Sequence, residues 1–184
     1  MQVQAHVNSK LPYLSFQSEL THLKKIPPRP LNHVAVSVAH IEPFVDWYSR
    51  ILGFQQMGDI MHIKRSETPD AAIFRIYPAS LNEYKIAYMA TGNGASLEVI
   101  EFIDPRPVPQ AKFFQYNLEG VFHICVTDPD PACLAREVVE SGGQMIGQMI
   151  NTGGIECVYV TDPWCNVVEI LNISFERLAT QLSA

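Results

Sequence analysis

The spacing of apolar residues changes at fixed places along the chain. From Asn32 to Val38 apolar residues alternate, the period of a strand, with Val34, Val36 and Val38 on one face and His33, Ala35 and Ser37 on the other. From Ile41 to Leu52 the spacing becomes three and four: Phe44, Trp47, Tyr48, Ile51 and Leu52 make the stripe of an amphipathic helix. Pro43 fits its first turn and Gly53 ends it. This stretch, Leu31 to Phe54, occurs again from Val121 to Gln144. At a constant offset of 90 residues His33 falls on His123, Val36 on Val126, Ser37 on Thr127 and Gly53 on Gly143. Internal repetition predicts two similar modules, each opening on a strand that carries a histidine.

The remaining pattern fills in each module. Phe54 to His62 reads as a second strand. Ser66 to Asn82, with proline at both ends and mixed periodicity, reads as a loop with a helical piece that covers a cavity. Glu83 to Thr91 alternates, Gly92-Asn93-Gly94 is a hairpin turn, and Ala95 to Ile103 returns with Ser96, Glu98, Ile100 and Phe102 on one face. In the second half the expected elements are a strand over Val121 to Thr127 and a helix over Ala132 to Ser141. Strands follow at Gln144 to Met149, Glu156 to Thr161 and Val167 to Asn172, and a short helix at Phe175 to Leu182. Residues 1–30 read as an N-terminal arm and proline-rich linker with a short helix near Phe16 to Lys25. Residues 31–104 and 121–173 are the two modules, 105–120 a crossover and 174–184 a tail. Each module is therefore βαβββ, an α+β architecture.

Composition adds exclusions. A net charge of −6 argues against a nucleic-acid or anionic-membrane surface. No apolar run approaches the roughly 18 residues of a membrane helix. Cys125, Cys133, Cys157 and Cys165 form no CxxC pair and no hydrophobic leader precedes them, so reduced thiols and a cytoplasmic location are expected.

The chemistry sits in the strands. His33 and His123 open the two modules, and each module's last strand carries a glutamate between apolar neighbours, Glu98 in LEV and Glu169 in VEI. A carboxylate in an apolar strand is costly unless paired or bound to a cation. A lone strand histidine is more often structural than a ligand, but two histidines and two glutamates in matched positions point to a divalent metal site. Nitrogen and carboxylate donors suit Zn, Ni, Mn or Fe(II). His40 and His62 read as surface residues, and Glu101 as a pair or rim residue on the opposite strand face.

HVAVSV followed by FVDWYSRILGF, then ASLEVIEF, FHICVTD and VYVTDPWCNVVEIL, make the chain resemble the vicinal oxygen chelate superfamily, the glyoxalase, bleomycin-resistance and extradiol-dioxygenase group. The resemblance covers Asn32 to Leu171. It implies two βαβββ modules whose largely antiparallel sheet curls around a metal-binding cavity, with His33, Glu98, His123 and Glu169 as ligands of one divalent ion. It also implies a small-molecule substrate and a homodimer, the modules pairing within one chain or across two. Three departures stand out. Cys165 replaces the glycine of the family's DPxGN turn, with Asn166 left to take unusual dihedrals. Ser37 stands where bacterial glutathione-dependent glyoxalases place an arginine, and Glu101-Phe102-Ile103 replaces their asparagine-bearing stretch. The last two argue against a glutathione pocket while leaving the metal set.

The resemblance supports three functions. The first is a metal-dependent isomerase or lyase on a small carbonyl or aromatic metabolite, of the kind that accompanies secondary metabolism, working through a metal-chelated enolate with Glu169 or Glu98 moving the proton. The second is an extradiol-type Fe(II) dioxygenase using His33, His123 and Glu169, with Tyr159 near the substrate as in extradiol enzymes. The third is a metal-free, drug-sequestering binding protein. Phe74, Tyr77, Tyr84 or Tyr88, Phe102 and Tyr159 are candidates for an aromatic cavity wall, and Lys64, Arg65 and Arg75 for contacts to an anionic group.

Overall fold

The computed structural model describes residues 27–109 and 114–182. The chain divides into two units, Met1–Leu31 and Asn32–Ala184. The helix expected near Phe16 to Lys25 lies outside the described residues. The first module comprises β1 (His33–Val38), α1 (Ile41–Ile51), β2 (Gln55–Gln56), β3 (Met61–Lys64), α2 (Ile73–Ile76), β4 (Glu83–Ala90) and β5 (Ser96–Asp104). The second comprises β6 (Ile124–Thr127), α3 (Pro131–Glu140), β7 (Gln144–Thr152), β8 (Ile155–Thr161) and β9 (Val167–Leu171), followed by α4 (Phe175–Leu182). Each module builds its own sheet: β1-β5-β4-β2, with β3 also on β4, and β6-β9-β8-β7. In both, the first strand runs parallel to the last and the other pairings are antiparallel.

The alternation seen in the sequence sorts the faces. Val34, Val36 and Val38 of β1, Ala87 and Met89 of β4, and Leu97 and Val99 of β5 pack with α1, whose Ile41, Phe44, Trp47 and Tyr48 are buried. The same apolar core continues into the second module through Leu134, Val138, Val158, Val160 and Ile170. Burial on this scale, at roughly 25 cal/mol per Å² of apolar surface, is the main term holding the modules together. Two polar ties cross it: Trp47 Nε1–H donates to the Ser141 carbonyl at 2.9 Å, and the Tyr48 hydroxyl donates to Asp162 Oδ2 at 3.0 Å. Asp162 also accepts from the backbone N–H groups of Trp164 and Asn166, which fixes the DPWCN turn. His33, Ala35 and Ser37 are exposed on the face opposite this core.

A second cluster lies on that opposite face. Phe74, Leu81, Tyr84, Ile86 and Ile100 are buried together, with Phe102 against them. The segment after β3 has the helical piece the sequence suggested, α2, but it packs into this cluster over one end of the sheet instead of roofing a cavity there. Arg65 pins it, donating to the Leu81 carbonyl at 2.8 Å with its guanidinium 4.2 Å over the Phe74 ring.

Several expectations need correction. The strand expected over Phe54 to His62 is broken into β2 and β3 around Gly58, whose φ is +76°. β7 runs past its expected end at Met149 to Thr152, and with β8 starting at Ile155 the turn between them is Gly153-Gly154. β6 begins at Ile124, so His123 stands just before the strand. At the DPWCN turn the left-handed residue is Cys165 itself, φ +70°, rather than Asn166.

Gly143, the repeat partner of Gly53, is fixed by close approach. A Cβ there would run into the Thr161 carbonyl and the Val138 side chain. Gly143→Ala is expected to lower stability by about 2–3 kcal/mol, read as a fall in Tm of about 5–10 °C. An unchanged Tm would contradict the packing described.

Candidate functional site

In the first module β1 and β5 lie side by side, with Ala35 opposite Glu98, and β4 brings Tyr88 opposite Glu98 from the other side. His33 Nε2 is 3.9 Å from Glu98 Oε2. Its Nδ1 is 2.7 Å from Asn32 Oδ1. An amide oxygen only accepts, so Nδ1–H donates to it, and Nε2 is the ring atom turned toward Glu98.

The second module repeats the arrangement with different neighbours. Glu169 on β9 lies between Cys125 of β6 and Tyr159 of β8. His123 Nε2 is 3.2 Å from Glu169 Oε2, and the Cys157 thiol donates to Glu169 Oε1 at 3.2 Å. Burial, then the Glu169 carboxylate, pushes the Cys157 thiol up to about 12, so it is an S–H donor at neutral pH. The same causes, in the same order, push the Tyr159 phenol well above its usual value. The His123 ring meets Tyr159 edge-on at 5.4 Å and Phe122 at 4.8 Å, and Phe122 stacks along Tyr159 at 6.4 Å. His123 Nδ1 is buried with no hydrogen-bond partner among the described residues.

The four sequence candidates therefore come together as two His–Glu pairs, one per module. Among the described residues no group of three or more His, Cys, Asp and Glu side chains is placed to hold a metal ion within one chain. His40 is exposed, and His62 pairs with Glu83 at 2.7 Å. Glu101 faces the other side, where it accepts from the Ile41 N–H at 2.9 Å and meets Lys85 at 3.9 Å. Of the aromatic candidates, Phe74 and Tyr84 are core residues, whereas Tyr77 and Tyr88 are 39% and 41% exposed. The basic candidates are committed to the covering segment: Arg65 as described, Lys64 to Glu67 at 3.2 Å and Arg75 to the Asp70 carbonyl. A cavity of about 220 Å³ lies beyond Glu101, lined by His40, Phe102 and Arg106, and none of the four candidates touches it.

Three neighbours escaped the sequence reading: Asn32, Cys157 and Phe122. Strand parity over Ile155 to Thr161 places Cys157 on the face of Tyr159, and that signal was available. Phe122 and Asn32 carry only their adjacency to the histidines.

The model of the Glyoxalase/Bleomycin resistance protein/Dioxygenase superfamily matches residues 30–170. The chain belongs to that superfamily. No functionally curated protein sequence matches it. Among solved structures, it is similar to a glyoxalase family protein from Bacillus cereus, with a TM-score of 0.67 and 14% identity over 80% of this chain and 95% of that one. It is also similar to the fosfomycin resistance protein FosX of Listeria monocytogenes, with TM-score 0.55 and 11% identity over 84% and 99%. A third is the trypanothione-dependent glyoxalase I of Leishmania major, with TM-score 0.54 and 15% identity over 85% and 93%. At such identities the likeness concerns the fold. The superfamily contains many enzymes, and its members typically use a divalent metal. No helix among the described residues of this superfamily member is long and apolar enough to cross a membrane.

Proposed function

We propose that the chain is a metal-dependent isomerase or lyase acting on a small carbonyl or aromatic compound. In this reading His33, Glu98, His123 and Glu169 hold one divalent ion, Zn, Ni, Mn or Fe(II), and two chains supply each site. The observation that carries the reading is the matched pair of His–Glu contacts, one in each module, with both glutamates on strand faces turned away from the core around α1. His123 Nε2 and Glu169 Oε2 are 3.2 Å apart and His33 Nε2 and Glu98 Oε2 3.9 Å, so each module would offer an ion one imidazole nitrogen and one carboxylate oxygen. Two donors alone make a poor site, so the pairs need one another. Among the described residues β1 and β6 each end a sheet with one side unpaired, and open edges of this kind invite a partner strand. Association of two chains along these edges would set His33 and Glu98 of one copy beside His123 and Glu169 of the other.

When bound, the ion supplies Lewis-acid polarisation of two neighbouring substrate oxygens. The residues do the rest. A glutamate carboxylate takes a proton from the carbon beside the carbonyl and returns it. The protonated Tyr159 phenol stands next to Glu169 as a hydrogen-bond donor, and Phe122, Tyr77 and Tyr88 offer apolar surface suited to a flat compound.

The test is proton exchange. Zinc- or nickel-loaded protein in D₂O is expected to place deuterium on the carbon beside the carbonyl of hydroxyacetone faster than metal-stripped protein does, as read by NMR. Equal rates would contradict the reading. Ser37, exposed on the His33 face, offers no cation to a glutathione carboxylate. Formation of lactoylglutathione from methylglyoxal and glutathione is therefore expected to be slow or absent, and brisk turnover would restore a glutathione site.

A further inference from the structure

The two His–Glu pairs sit at matched positions but in different surroundings. At the offset of 71 residues that maps Glu98 onto Glu169, Tyr88 maps onto Tyr159 and Ile86 onto Cys157. At the offset of 90 Ala35 maps onto Cys125. Glu98 is thus flanked by a methyl group, a buried aliphatic chain and a half-exposed tyrosine. Its ion-pair contact among the described residues is with His33 Nε2, at 3.9 Å, and it lies close enough to the Tyr84 phenol to act on it electrostatically. Glu169 has both oxygens engaged, Oε1 by the Cys157 thiol at 3.2 Å and Oε2 beside His123 Nε2 at 3.2 Å, and the Cys125 thiol and Tyr159 phenol interact with the same carboxylate. A carboxylate held at one oxygen by a neutral donor keeps a fixed orientation and presents the other oxygen alone. A carboxylate without such a donor is free to swing.

We infer that Cys157 is a positioning residue that fixes Glu169 as a one-oxygen metal ligand, leaving Glu98 as the carboxylate that moves the substrate proton. The inference rests on the metal reading of the previous section. In the step assigned to Glu98, its carboxylate takes the proton from the carbon beside the carbonyl. The C–H electron pair becomes the C=C bond of an enolate, and the carbonyl π pair goes to oxygen. Reversal returns the proton, or a deuteron from solvent, to carbon, so no oxidant or other reactant is needed. Tyr88, opposite Glu98, leaves room for this movement because it is half exposed.

The test uses zinc titration of the full chain against a chromophoric chelator, together with deuterium exchange into hydroxyacetone. Cys157→Ala is expected to weaken zinc binding about tenfold, the size of effect seen when an outer partner of a ligand is lost. Cys157→Ser, which keeps a donor, is expected to stay within about threefold of wild type. Glu169→Gln should weaken zinc binding at least about a hundredfold and Glu98→Gln no more than about tenfold, while Glu98→Gln loses the exchange. Unchanged zinc affinity in Cys157→Ala, or equal losses in the two glutamine variants, would overturn the inference while leaving the metal site standing. A wild-type protein that binds no zinc would overturn both, and that result is distinct from the first two.

Discussion

Glu98→Gln is expected to slow deuterium exchange into hydroxyacetone at least about a hundredfold, a loss of the size associated with removing a general base. Strand parity is the starting point. Glu98 shares its face with Ser96 and Ile100, while Leu97 and Val99 are buried against α1. The glutamine keeps the shape and removes the charge and the basic oxygen, so circular dichroism and Tm should match wild type. The substitution also separates the two enzymatic readings. An Fe(II) dioxygenase uses two histidines and one carboxylate with open positions for substrate and oxygen, and His33, His123 and Glu169 would suffice for it. Tyr159, against His123 and beside Glu169, is the feature that favours that alternative. The isomerase–lyase reading expects no catechol-dependent oxygen uptake with Fe(II). A fully active Glu98→Gln together with such uptake would transfer the site to oxygen chemistry.

The second large effect concerns the metal. His123→Ala and Glu169→Ala are each expected to lower zinc affinity by about a hundredfold or more, since each removes a donor from the pair whose carboxylate is already oriented. The second module is the more telling half. His123 Nε2 and Glu169 Oε2 stand 3.2 Å apart, and Glu169 is already oriented by Cys157. Losing His123 leaves a single carboxylate there, and losing Glu169 leaves a single imidazole. Equilibrium dialysis with zinc reads both. Full occupancy in both variants would mean that the pairs are ordinary ion contacts. Such a result, joined to tight binding of an apolar compound by metal-free protein, would favour a drug-sequestering role.

Much of the fold was legible because the repeat and the alternation are local. The shift from period two at Asn32 to Val38 to the helical stripe of Phe44, Trp47 and Tyr48, ended by Gly53, is written in neighbouring residues, and it recurs at an offset of 90. Parity alone placed Leu97 and Val99 against the helix and Glu98 on the other face. What failed depended on backbone details or distant contacts. Gly58 splits a strand that composition reads as continuous. Cys165 accepts the left-handed conformation because Asp162 holds the turn around it. Phe74 and Tyr84 read equally well as cavity wall or core, and only the folding of α2 over Ile86 and Ile100 decides for core. The His–Glu pairing within each module followed from matched positions. The engagement of Glu169 by Cys157, and the lack of a counterpart at Ile86, needed the register of β8 on β9.

The central claim is that the two pairs build one site between them, and zinc titration of the wild-type protein by calorimetry, with molecular mass measured in parallel, tests it most directly. One tight zinc per chain, in a dimer, is the predicted result. Two weak zinc ions per chain, one for each His–Glu pair, or none at all, would contradict it.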